Sequence, residues 1–102
     1  MIRTAFLSLA LFQGMAAAQS PPPAKAETCV VCHGALGIST APDAPNIAGQ
    51  PRQYLVAQLK QFRSGKRPSE VMNVLAKTLS DEEIEALADW YSAIRITAAP
   101  SR

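Results

Sequence analysis

Histidine occurs once in this 102-residue chain and cysteine only twice. So few cysteines exclude a disulfide-dense scaffold. A structural zinc site needs four ligands, usually a second pair elsewhere, and no further Cys or His exists to supply it. Aromatics make up 6% of the residues, and no basic cluster carries interleaved aromatics, which argues against a nucleic-acid partner. No segment alternates convincingly at period two and no internal repeat is visible, so sheet and repeat architectures drop out. No apolar run reaches the roughly 20 residues a bilayer-spanning helix needs. The net charge of +2 selects no partner. Lys60, Arg63, Lys66 and Arg67 do group, and they read as a solvated helix face and loop rather than a docking patch.

The chain opens "MIRTAFLSLALFQGMAAAQS", with one positive charge at Arg3 and an apolar run from Ala5 to Phe12. Ala16-Ala17-Ala18 then fits the small-residue rule for signal peptidase, so residues 1–18 read as an export leader cleaved after Ala18. The alternative, a retained membrane anchor, is opposed by the shortness of the run. Cleavage leaves 84 residues, with no stable membrane insertion and room for one domain. Such a chain buries only a modest core, and a large apolar bound group would make good the deficit.

Residues 19–25, in "QSPPPAK", read as a proline-rich extended arm, and residues 26–102 as the working domain. A short helix runs from about Ala24 to Cys32 and ends at Gly34. "GALGISTAPDAPNIAG" is an ordered loop. "QPRQYLVAQLKQFRSG" is helical: Pro51 suits a first helical position, Leu55, Leu59 and Phe62 recur at helical spacing, and Gly65 supplies the stop. "KRPSEVMNVLAKT" begins as a loop and turns helical from Glu70. In "LSDEEIEALADWYSAIRI", Ser80 with Glu83 forms a capping box, and Ile84, Leu87, Tyr91 and Ile94 form one apolar stripe. The fold class is all-α, with about four helices and one long loop.

All three strong soft ligands sit in "CVVCH". On a helix Cys29 and Cys32 are i and i+3, and His33 is i+4 from Cys29, so their side chains share roughly one face. That face suits a flat macrocycle whose vinyl groups take up the two thiols while the imidazole reaches a central iron. Cys-x-x-Cys-His is the attachment signature of c-type haem. A thioredoxin-like pair wants a strand and a βαβ pattern around it, which are missing here. A plain disulfide suits an exported protein but leaves His33 and the thin core unexplained. Haem attachment agrees with export, and haem contributes apolar area at about 25 cal/mol per Å² buried.

Iron held by His33 keeps one face open. Met1 and Met15 leave with the leader, so Met72 is the remaining thioether, 39 positions beyond His33 and just before the last helix. Beside Val71 and Val74 a methionine alone reads as core packing; the haem motif turns the reading toward a ligand. A thioether opposite histidine raises the reduction potential.

"CVVCHG", "PNIAGQ", "YLVAQLKQFRSGKR", "VMNVLAK" and "LSDEEIEALADWYSAI" together resemble the class I c-type cytochromes of bacteria: small monohaem carriers, single halves of dihaem periplasmic cytochromes, and haem subunits of flavin-dependent sulfide dehydrogenases. The resemblance covers roughly Ala26 to Ile96. It implies a small cytochrome c fold wrapped around one haem, thioether links at Cys29 and Cys32, and His33 and Met72 as iron ligands. It also implies that the Pro45 carbonyl accepts a hydrogen bond from His33, and that Trp90 and Tyr91 pack the last helix against the first. "SPPPAK" departs from relatives with a longer first helix, cutting it to about two turns. The expected function is a periplasmic one-electron carrier, not an enzyme, meeting a redox donor and a redox acceptor transiently, as a monomer or as a subunit of a redox complex. The rivals are a haem c subunit of a flavocytochrome c sulfide dehydrogenase, and a gas- or peroxide-reactive haem, which lacks a distal histidine. The haem-free polypeptide is expected to be largely unfolded; a cooperative, native-like thermal transition in apoprotein would contradict this.

Overall fold

The computed structural model describes residues 1–11 and 20–101. The cleavage site expected after Ala18 lies outside the described residues, and residues 1–11 are irregular and exposed. Four helices follow in order: α1 (Ala26–His33), α2 (Arg52–Ser64), α3 (Glu70–Ala76) and α4 (Asp81–Ser92). No strand occurs among the described residues, in line with the all-α expectation. None of the helices is long and apolar enough to cross a membrane.

Each helix starts and stops where local chemistry dictates. α1 has no side-chain cap; the arm's Pro23 carbonyl accepts from Ala26 N at 2.9 Å instead. Its eight residues make about two turns. Gly34, at φ +78°, ends it. Pro51 precedes α2 with extended ψ, so it stands one position before the first helical residue expected for it, and its carbonyl accepts from Leu55 N. Left-handed Gly65 closes α2. Ser69 caps α3 by accepting from Met72 N at 3.1 Å. The capping box of α4 is complete: Ser80 Oγ accepts from Glu83 N, and Glu83 Oε1 accepts from Ser80 N at 3.0 Å.

α2 packs against both α3 and α4. The core gathers Ala26 from α1, Leu55 from α2, and Leu87, Ala88 and Tyr91 from α4. Ile84 and Leu87 are the largest fully buried side chains. Ile94, expected on the stripe, lies two residues past the end of α4 but still packs on the core. Two cations of the basic group are engaged internally. Arg63 donates to Asp81 at 2.6 Å and to the Leu79 carbonyl at 3.1 Å, joining α2 to the start of α4. Arg67 stacks 4.6 Å over the Phe62 ring and donates to Gln58.

Hydrogen bonding and charge from Arg63 hold the Asp81 carboxyl below its ordinary value, and the Ser80 backbone N–H does the same for Glu83. Both are depressed in the folded state. Their stabilisation is therefore complete above about pH 4–4.5 and disappears as the pH falls through the depressed values. Ser80→Ala should cost about 1 kcal/mol and lower the melting temperature by about 4–8 °C. Paired Asp81→Asn and Glu83→Gln changes should flatten the acid limb of the stability–pH curve. An acid limb of unchanged steepness in thermal melts would refute the assignment.

Candidate functional site

Helical spacing brings Cys29, Cys32 and His33 to one side of α1, where all three line a single cavity of about 630 Å³. That volume is the size of a cofactor site rather than a packing defect. Leu55, Leu59 and Phe62 of α2 form one wall. Met72 and Leu75 of α3 form a second, and Leu87, Ala88 and Tyr91 of α4 close the base. Pro45 and Ile47 come from the loop after α1. The five residues singled out from sequence, Cys29, Cys32, His33, Pro45 and Met72, therefore all reach the same cavity.

His33 is buried, at 9% exposure, and its Nδ1 lies 2.7 Å from the Pro45 carbonyl oxygen. A carbonyl only accepts, so the proton of that bond sits on Nδ1, and in the neutral ring Nε2 then carries the free lone pair. This is the tautomer a metal-binding imidazole needs, with its far nitrogen anchored. The two cysteines are half-buried and not joined as a disulfide. Burial pushes the Cys29 thiol above its ordinary range, with a smaller opposing effect from the neighbouring Tyr91 hydroxyl. Burial, then the Cys29 sulfur, pushes the Tyr91 hydroxyl up as well. That hydroxyl is buried without a hydrogen-bond partner of normal geometry, as is Trp90 Nε1.

Among the described residues no three His, Cys, Asp or Glu side chains converge as a bare-ion site. The donor set instead matches a large group that brings its own metal. Two thiols and one imidazole stand on one wall, a thioether is carried by another helix, and the remaining surface is mainly apolar.

The sequence profile described as Cytochrome c matches residues 23–93. The chain belongs to the cytochrome c family. Cytochrome c domains bind haem c covalently and carry electrons, and Cys29, Cys32 and His33 fit the family's attachment motif. A thiosulfate dehydrogenase electron acceptor of Thiomonas intermedia is 40% identical over 93 residues, covering 90% of this chain and 43% of its own length. Cytochrome c-554(548) of Halomonas halodenitrificans is 42% identical over 72 residues, covering 68% of this chain and 87% of its own. The solved structure of cytochrome c4 from Acidithiobacillus ferrooxidans superposes with a TM-score of 0.62 at 33% identity, over 65% of this chain and 38% of that one. The chain thus spans less than half the length of two of these three relatives. Their helical cytochrome c4 folds agree with the fold class expected from sequence.

Sequence reasoning missed the residues that support the Met72 wall. Ser69 was legible as an N-cap three residues ahead of Met72. Asn73, which bonds to three backbone groups, left no periodic signal. The weakly held Tyr91 hydroxyl makes the stability test here asymmetric. Tyr91→Phe should cost well under about 1 kcal/mol, since only the poor contact of the hydroxyl with the Cys29 sulfur is lost, whereas Tyr91→Ala should cost about 3–5 kcal/mol. A loss above about 1 kcal/mol for the phenylalanine variant in denaturant titrations would show that the hydroxyl is bonded.

Proposed function

We propose that this chain is a periplasmic one-electron carrier whose single haem c is attached at Cys29 and Cys32, with His33 and Met72 as axial ligands. The observation that supports it best is that Met72, on α3, lines the same cavity as the attachment motif on α1. Bound in that cavity, haem would supply the reversible one-electron chemistry that none of these side chains has. The chain's own part is to hold and to exclude. The Pro45 carbonyl fixes the His33 ring and raises its basicity. The Ser69 cap holds the backbone of Met72. The apolar walls of α2, α3 and α4 keep water from the site, which together with a thioether ligand favours the reduced form.

Export by residues 1–18 agrees with the family, whose bacterial members are typically periplasmic. The partners would be redox proteins met briefly over a small surface. Two relatives are named as thiosulfate dehydrogenase electron acceptors, and this favours a thiosulfate-oxidising donor over a flavin-linked sulfide dehydrogenase. In either setting the chain relays electrons and turns over no substrate.

Met72→Ala in correctly matured protein tests the ligand assignment. The reduction potential should fall, the weak charge-transfer band of ferric iron bonded to thioether sulfur should vanish, and the ferrous form should take up carbon monoxide. An unaltered spectrum with no carbon monoxide binding would overturn the reading. Matured protein with the mass of its bare peptide would overturn haem attachment itself.

A further inference from the structure

α3 is poorly equipped to hold its own place. It has seven residues, too few to be stable as an isolated helix. Only Ala76 is fully buried, while Val71 and Val74 are 57% and 68% exposed. Burial of large side chains therefore does little to fix its first turn, the turn that carries Met72.

Asn73, the next residue, spends its whole side-chain amide on that task. Nδ2 donates to the Phe62 carbonyl at 2.8 Å and to the Arg67 carbonyl at 2.9 Å. Oδ1 accepts from Ser69 N at 2.7 Å. Phe62 lies in the last turn of α2, where its carbonyl otherwise accepts only a long 3.3 Å bond from Gly65 N. Arg67 N in turn donates to the Gln61 carbonyl at 3.1 Å, which folds the connecting turn back on α2. Phe62, Arg67, Ser69 and Met72 all line the cavity. One amide thus ties the end of α2, the connecting turn and the start of α3 together at the wall that bears the thioether.

We infer that Asn73 is a positioning residue for Met72, holding the first turn of α3 against the end of α2 and so setting how often the thioether leaves the iron. The inference rests on Met72 being the axial ligand proposed above. Removing the amide leaves the Arg67 carbonyl and the Ser69 N–H without their partner and the Phe62 carbonyl with only its 3.3 Å bond from Gly65 N, a loss large enough to raise the open population about tenfold or more. The apparent affinity of a competing ligand scales with that population.

The test compares matured holoproteins by imidazole titration of the ferric form, with the iron–sulfur charge-transfer band and the thermal midpoint followed in parallel. Asn73→Ala should bind imidazole about tenfold more tightly than the parent, or more tightly still. Asn73→Asp, near-isosteric and with no amide donor for the two carbonyls, should shift in the same direction and guards against misfolding of the alanine variant. Ser80→Ala loosens α4 and should lower the thermal midpoint without changing imidazole affinity. Parental imidazole affinity in both Asn73 variants, with Met72→Ala binding tightly, overturns the inference and leaves Met72 as ligand. An equal affinity gain in Ser80→Ala also overturns it, because the effect would then be general loosening. A Met72→Ala spectrum identical to the parent's removes the ligand reading and the inference with it.

Discussion

The hydrogen bond between His33 Nδ1 and the Pro45 carbonyl joins the attachment helix to the loop that leaves it, and the site's geometry depends on that loop being rigid. The rigidity comes from backbone bonding. The Gly37 carbonyl accepts from both Ile47 N and Ala48 N, at 2.8 and 3.1 Å, pinching the loop shut around Pro45. Ser39 N donates to Asn46 Oδ1 at 2.7 Å across the same fold. Gly49 N donates to the Tyr91 carbonyl, tying the far end to α4. A side chain at Gly37 has no space: with φ +78°, a Cβ there would stand 2.9 Å from both Ala48 N and Tyr91 Cδ1. The imidazole plane is thus set by α4 as much as by α1, through a loop that crosses between them.

The buried core around this loop is small. Among the described residues, four of the eight buried apolar ones are alanines, which allow close backbone approach but bury little area each. Several larger apolar side chains, Leu59, Phe62, Leu75 and Leu79 among them, line the cavity, Leu59 and Leu79 while also packing on the core. A chain with this distribution draws on whatever apolar body its walls enclose, as expected for a domain of this size.

Local chemistry made much of this readable in advance. The capping box at Ser80 and Glu83, the glycine stop after α2 and the Cys29–Cys32–His33 spacing each lie within five residues, so the sequence carries them directly. The Pro45 contact spans twelve residues and follows no period; it was accessible only through resemblance to a family. Pro51 shows the limit at an element end, since the same φ serves the residue before a helix as well as its first residue. Arg63 and Arg67 looked like a solvated face because charge spacing does not reveal tertiary partners. In the fold they reach Asp81 and the Phe62 ring. Asn73 is the extreme case, a mid-helix polar residue whose three partners all lie in backbone N-terminal to it.

An electron carrier must combine a rigid site with an edge open to partners, and the two demands compete over α3. Covering Val71 and Val74 would steady the helix by burial, but Val71 also lines the cavity, and bulk added there would thicken its wall. Directional bonds resolve the conflict. The Ser69 cap and the Asn73 amide fix backbone positions without burying area, and they act from the side facing α2. The charges follow the same economy. Lys25 pairs with Glu83, Arg52 with Asp89 and Arg63 with Asp81, while the cavity lining mixes Lys25 and Arg67 with Asp43 and Glu70. Such a rim has no strong field of one sign, so encounter with a partner would rest on brief contact more than on long-range steering.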